Sequence, residues 1–491
     1  MSAQVASQAC DACRVRLQKT CEYPQAAVQD ISGTSNPTDF YSSLKGPEQN
    51  SVIFILNFFL DSDQFERLEE NALAYSPQSS LQQLALSHVG PDPIADGEAY
   101  FSSVHKWLPV ISRKRFLYQV NGNSNDDSCL MLLVVCMKLC TSEPGDPAAE
   151  FPLYAAARSL CSAAETSGFV TLRLLQSLVL LGLYELSHGV CPGAFLTISR
   201  AARLGILMGF HDRAQAPRIF KPAETWTLRE EQRRTWFVNI EHCGIPFAVP
   251  QPFQGELLPI NDQDWEDGKI APSEPLYTRS FSSVTTVGPF AKMCQAAHML
   301  SKVMSHREAR TYSENITELL PEAQTLHQAL VALQRSIEEP ELGEPADAST
   351  ISALSICCSA RFILYNLYAC NEPLNLAMDG PIALATEMQK VGLEGIRELA
   401  LSTAPRVAKE KMASPFVARF LYHAATECAW FIKEDREQAM VHALKVIVDR
   451  LHDSLLEWSV AGHYFILLVG QGIKKLLKED GDGSSTTTST F

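Results

Sequence analysis

Thr171-Leu-Arg-Leu174-Leu-Gln-Ser-Leu178-Val-Leu-Leu181-Gly-Leu-Tyr184 carries apolar side chains at residues 174, 178, 181 and 184, the three- and four-residue steps that bring side chains to one face of an α-helix. The segment before it repeats the pattern at Leu153, Ala156, Leu160, Ala163 and Ala164. Working outward, the same spacing recurs from about residue 51 onwards, with further helices predicted near 287–307, 311–337, 350–371, 377–403, 413–433, 435–457 and 459–476. Gly168, Gly189, Pro192, Gly209 and Pro217 fall where these helices should end, and Thr227-Leu-Arg-Glu230 reads as a capping box for a helix carrying Arg233, Arg234 and Trp236. The predicted fold class is all-α, a large multi-helix body over 51–476. Residues 244–282, rich in Pro, Gly and Asp, form a long irregular crossing between its two helical halves. No repeat is strong enough to indicate a solenoid.

Residues 25–50, with Gly33, Pro37, Gly46 and Pro47 among Ser, Thr and Asn, lack periodicity and read as a flexible linker. Residues 477–491 are low in complexity and are expected to be a disordered tail. The chain of 491 residues is 46% hydrophobic and 20% charged, enough to bury one large core or two smaller ones. Its formal net charge of −15 sets the body against nucleic acid, so contact with DNA must be confined to a short basic arm. The fourteen cysteines show no framework spacing, and several, such as Cys136, Cys140, Cys161 and Cys370, sit in apolar segments; buried free thiols in a reducing compartment are expected, and no signal-peptide pattern opens the chain. The apolar runs 52–60 and 172–183 fall short of the roughly twenty residues that span a bilayer. A soluble protein without a membrane partner is expected.

The one basic arm lies at Cys10-Asp-Ala-Cys13-Arg14-Val-Arg16-Leu-Gln-Lys19-Thr-Cys21-Glu22-Tyr23-Pro24. Thiolates spaced C-x2-C lie on one turn of chain and can grip a tetrahedral Zn²⁺, and cations directly after them are placed to meet phosphate. A C-x2-C pair by itself fits two ordinary thiols equally well. A closed structural zinc site takes four protein donors, whereas residues 1–50 hold three cysteines and no histidine. Three cations would give a salt slope of roughly −2.7, at about −0.9 per phosphate contact, which describes weak and nonspecific binding.

These residues resemble the beginning and end of the fungal binuclear zinc cluster (Zn2Cys6). In that module six cysteines hold two zinc ions and present a short basic helix to the major groove. The resemblance implies zinc ligation by Cys10, Cys13 and Cys21 and DNA contact by Arg14, Arg16 and Lys19, phosphate being the simplest role for each. The family's third, fourth and fifth cysteines and the basic loop around them have no counterpart here, so residues 1–24 read as a truncated DNA-binding module with an incomplete zinc site.

Four stretches further on resemble the fungal-specific regulatory domain that follows this cluster, together covering about 96–268. They are the aromatic, Pro-turned segment Tyr100–Phe116, the small-residue helix Ser199–His211, the arginine-aromatic helix Glu230–Phe237, and the Pro-rich crossing from Pro246 through Pro259 to Trp265. Residues 238–245 are shorter than the family's usual connection. The resemblance implies a nuclear, sequence-specific transcriptional regulator. Its expected partners are DNA at paired CGG-rich half-sites, a second copy or a related regulator in a dimer, and the transcription machinery, with control of a metabolic or secondary-metabolite pathway as the family's common role. The alternative is a helical co-regulator that dimerises with intact relatives without touching DNA.

Other residues receive plainer readings. Arg233 and Arg234 share a helix with Glu230 and Glu231, and a salt-bridged face is the expected arrangement. His105, His211 and His242 are isolated from one another and read as core or surface histidines, and Cys357-Cys358 reads as packing. No phosphate loop, nucleophile elbow or zinc-protease helix occurs. Asp126-Asp127 does not extend into the aspartate-rich motif that terpenoid synthases need, so no enzyme is expected.

Overall fold

The helix expected around Leu174–Tyr184 forms: α6 (Leu172–Ser187) begins where the hydroxyl of Thr171 accepts the N–H of Leu174. Its residues are buried on every side, Leu186 being the exception. A helix buried all round belongs at the middle of a bundle. The computed structural model describes residues 79–122, 129–143, 148–211, 225–238, 252, 255–277, 287–312, 318–339, 347–369, 381–435, 437–454 and 458–479, all within one unit, Pro77–Phe491. The zinc-cluster remnant, the linker, the run at 52–60, His242, Cys370 and the residues beyond 479 lie outside the described residues.

On α6 pack α4 (Leu130–Thr141), α5 (Pro152–Thr166), α7 (Gly193–Leu207) and α8 (Trp226–Phe237), while α1 (Ser79–Leu86) and α2 (Pro93–Ser102) pack on α4, and α3 (Arg113–Asn121) on α2. The crossing contributes the short α9 (Asp262–Asp267). The second half comprises α10 (Pro289–Tyr312), α11 (Leu320–Glu338), α12 (Ala348–Asn366), α13 (Pro381–Glu398), α14 (Ala404–Lys409), α15 (Pro415–Asp435), α16 (Gln438–Asp453), α17 (Ser459–Gly470) and α18 (Ile473–Glu479). Its centre is α12, which packs against α10, α11, α13 and α15. This helix is long and apolar enough to cross a membrane, but 89% of the apolar window lies inside the protein. Its apolarity serves the core.

Among the described residues the architecture is all-α, the one β feature being a bridge between Leu257 and Pro275. Boundaries differ from the periodicity in places. The helix expected at 377–403 begins at Pro381 and continues through a π-turn at Leu399–Thr403 into α14. Pro405 has no N–H to offer the carbonyl four residues back, and the wider turn just before it takes up the misfit. The capping box moves by two residues: Thr225, not Thr227, caps α8 by accepting the N–H of Leu228 at 3.2 Å. Glu230 is thereby released from the helix start for another role.

Of the cysteines expected in the core, Cys140 is half-buried and Cys370 lies outside the described residues. Cys136 and Cys161 are fully buried, and Cys357 and Cys358 both face α11, against Leu330 O and Gln334 Oε1. Burial pushes the Cys140 and Cys357 thiols up to about 12, which keeps both protonated and inert near neutrality.

Candidate functional site

The first half of the body is organised around carboxylates and guanidinium groups in a place where charges are rare. Glu230, Glu231, Arg234 and Arg173 are each 1% exposed or less. Two successive glutamates on α8 point to different partners because adjacent helical residues are about 100° apart.

Glu231 is the inner node. Its Oε1 accepts hydrogen bonds from Arg173 Nη1 at 2.9 Å, Gln176 Nε2 at 3.1 Å and the backbone N–H of Ser112 at 3.1 Å, while Oε2 accepts from Arg115 Nη1. Arg173 also donates to Gln176 and to Gln119, and Gln176 donates to Val110 O at 2.9 Å. Burial acts to raise the Glu231 pKa, but Arg173 and Arg115, with the hydrogen bonds of Gln176 and Ser112, outweigh it and hold the carboxyl below its usual value. Glu231 is therefore an ionised, fully satisfied buried carboxylate.

Arg234 is the outer node. Its Nε donates to Glu230 Oε1 at 3.1 Å, Nη1 to Asp262 Oδ1 at 2.6 Å, and Nη2 to Ile260 O at 2.7 Å. The guanidinium plane lies 4.2 Å from the ring centre of Trp265 and 5.2 Å from that of Phe290. Arginine suits this place, since its planar fork bonds in several directions while its faces stack on aromatic rings. Glu230 Oε1 also accepts the N–H of Ile260, and Arg233 bridges Glu230 Oε2 to Ser273 Oγ. The salt-bridged reading of Arg233 and Arg234 holds, with the difference that the pairs are buried and join separate segments.

The resembling stretches thus meet in one cluster. The Pro-turned segment supplies Ser112 and Arg115, α8 supplies the two glutamates and Arg234, and the crossing supplies Ile260, Asp262 and Trp265. The fourth stretch enters by shape: a Cβ on Gly205 of α7 would lie 2.7 Å from the Trp236 ring. His105 bonds Glu266 at 3.0 Å and stacks on Trp265, so it is a structural histidine, and Trp107 packs on Phe416 and Trp458 of the second half.

Sequence reasoning missed Arg173, Gln176 and Asp262. The first two were signalled by polar residues at i and i+3 in an otherwise apolar helix; Asp262 carried no local signal. No group of three or more metal-binding side chains occurs among the described residues. The expected zinc ligands Cys10, Cys13 and Cys21 and the expected DNA contacts Arg14, Arg16 and Lys19 lie outside them. The cluster is shaped for holding, since its groups are paired and desolvated.

Residues 98–238, which hold both nodes, match the family model described as "Fungal specific transcription factor domain". The chain is 32% identical over 187 residues to "Transcription factor BOA15" of Botryotinia fuckeliana (strain B05.10), covering 36% of this chain and 98% of that protein. It is 26% identical over 205 residues to "Depudecin biosynthesis cluster-specific transcription activator DEP6" of Alternaria brassicicola, covering 38% of this chain and 32% of that one. It is 25% identical over 244 residues to "Asperfuranone cluster transcription factor afoA" of Emericella nidulans, covering 43% and 36%. Thus it spans about a third of the latter two relatives. No solved structure matches. Coverage of nearly all of one relative, with a family match seated on the buried cluster, shows that this chain belongs to the fungal-specific transcription factors, a family of transcriptional regulators and not of enzymes.

Proposed function

We propose that this protein is a nuclear, pathway-specific regulator of a secondary-metabolite gene cluster, in which the helical body is the regulatory domain and residues 1–24 are a truncated DNA-reading module. What carries the reading is the family match over 98–238, supported by relatives whose names specify control of biosynthetic clusters. Arg14, Arg16 and Lys19 contact phosphate, and Cys10, Cys13 and Cys21 provide thiolates for zinc. With three thiolates and no histidine in residues 1–50, the donor set falls one short of a closed tetrahedral site. The same shortfall favours a second reading, a co-regulator that dimerises with an intact relative and leaves DNA recognition to it.

Mobility shifts with the full chain on duplexes carrying paired CGG half-sites, at about 0.15 M salt, separate the two. A specific shift that a chelator abolishes supports direct, zinc-dependent reading. A shift that appears only when an intact relative is added supports the co-regulator. Sequence-independent retention that vanishes with salt in both mixtures would sink both readings.

A further inference from the structure

We propose that His327 is a proton-operated joint: its neutral imidazole holds α11, and the π-turn between α13 and α14, to α12, and its charged form releases them. The ring is half-buried, so protons reach it from solvent, while the groups it touches belong to the core. Nδ1 lies 2.8 Å from the Tyr365 hydroxyl, and that oxygen lies 2.9 Å from Nε of Arg361. Tyr365 is fully buried and Arg361 is 3% exposed. The arginine fixes the direction of these bonds. A guanidinium only donates, so the Tyr365 oxygen accepts from Arg361, its own proton goes to His327, and Nδ1 is the unprotonated nitrogen. A proton on Nδ1 makes the imidazole a second donor toward the same hydroxyl and deprives the buried Tyr365 proton of the acceptor it has now.

The same arginine carries the effect onward. Its Nη1 donates to Gln334 of α11, and its Nη2 donates at 3.0 Å to Glu398, the residue immediately before the π-turn Leu399–Thr403. Gln334 donates to Glu338 at 3.1 Å, and Glu338 accepts from Arg406 of α14, just beyond that turn. One network therefore grips the chain on both sides of a wide turn, a local form that recurs at functional places in helices. Arg361 of α12 opposes a charge on His327 and Glu398 of α13 favours one, while α10 turns His306 to Glu322 and Tyr368, and Lys292 to Ser336 O. Burial first, and then Arg361, lowers the His327 pKa. With the folded value below the unfolded one, the stabilisation is complete above about pH 6.5 and is lost as pH falls toward the folded value. None of this depends on zinc or DNA.

The test is hydrogen exchange of the full chain, read by mass spectrometry at pH 7.5 and 5.5 beside His327→Gln. Glutamine keeps an acceptor for the Tyr365 hydroxyl but takes up no proton, and comparison at each pH cancels both the intrinsic pH dependence of exchange and the titration of other groups. The ratio of parent to variant exchange rates, in peptides from Leu320–Glu338 and from 399–409, should rise severalfold between pH 7.5 and 5.5. Its limit is about tenfold, one pH unit below the ordinary histidine value of about 6.5. Tyr365→Phe removes the contested hydroxyl, and in that background the rise should shrink. A ratio that stays constant between the two pH values means that His327 only packs, and overturns the proposal. It is overturned equally if the rise extends over the helices of the first half, since the proton would then act on global stability, or if the rise survives Tyr365→Phe undiminished.

Discussion

Asp262 holds Arg234 with one oxygen, at 2.6 Å, and the backbone N–H of Phe290 with the other, at 3.1 Å. One carboxylate therefore ties the buried arginine of α8 to the first turn of α10, where the second half of the body begins. Negative charge is favoured at a helix N-terminus, so the two attachments reinforce each other. The close approach depends on Gly288, where a Cβ would lie 3.0 Å from Asn261 Cα.

Removing Asp262 leaves the buried Arg234 guanidinium with Glu230 as its remaining carboxylate partner. Asp262→Ala should destabilise the protein by about 2–4 kcal/mol, short of the full figure for a buried pair because Asp262 is 26% exposed. Combined with Arg234→Met in a double-mutant cycle read by urea unfolding, it should show a coupling of about 1–3 kcal/mol. Strict additivity would mean that the pair does not join the halves.

Glu231→Ala leaves Arg173 and Arg115 without their shared partner, and a cost of about 3–5 kcal/mol is expected. Its pH dependence has a defined sign. The folded-state pKa is lowered from 4.5, so the stabilisation is complete above the unfolded value and disappears as pH falls through the folded one. Glu231→Gln should therefore flatten the loss of thermal stability below about pH 4.5, and an unchanged acid limb would contradict the assignment.

His188 titrates in a different window. It donates to or accepts from Ser459 Oγ at 2.8 Å, packs on Tyr184 and faces His463. Burial first, and then the neighbouring His463, lowers its pKa from 6.5 to about 4. The unfolded chain binds the proton more readily, so this contribution is complete above about pH 6.5 and is lost as pH falls toward 4. His188→Gln should reduce the slope of melting temperature against pH in that interval.

Gly205→Ala tests the shape contact. A new methyl group 2.7 Å from the Trp236 ring must displace an indole that is itself buried, and overpacking of this kind costs about 1–3 kcal/mol. Since alanine is otherwise the better helix former, unchanged or increased stability would show that Trp236 yields freely.

The periodicity at 153–164 and 174–184 was enough by itself to determine an all-α body, because burying one face of a helix leaves a local signature every three or four residues. The order of the Pro-turned segment, the small-residue helix, the arginine-aromatic helix and the crossing likewise identified the family, each stretch being contiguous in sequence. Local pattern was less secure at helix starts: Thr225 and Thr227 both precede an acceptable first turn, and only backbone direction selected Thr225. The three-dimensional fold alone decided that Glu231 meets Arg115 and Arg173 from segments 116 and 58 residues away, and that Asp262 joins Arg234 to Phe290. Such contacts depend on which faces the packed helices turn toward one another, and desolvation then converts an ordinary-looking run of charged residues into the connection between the domain's parts.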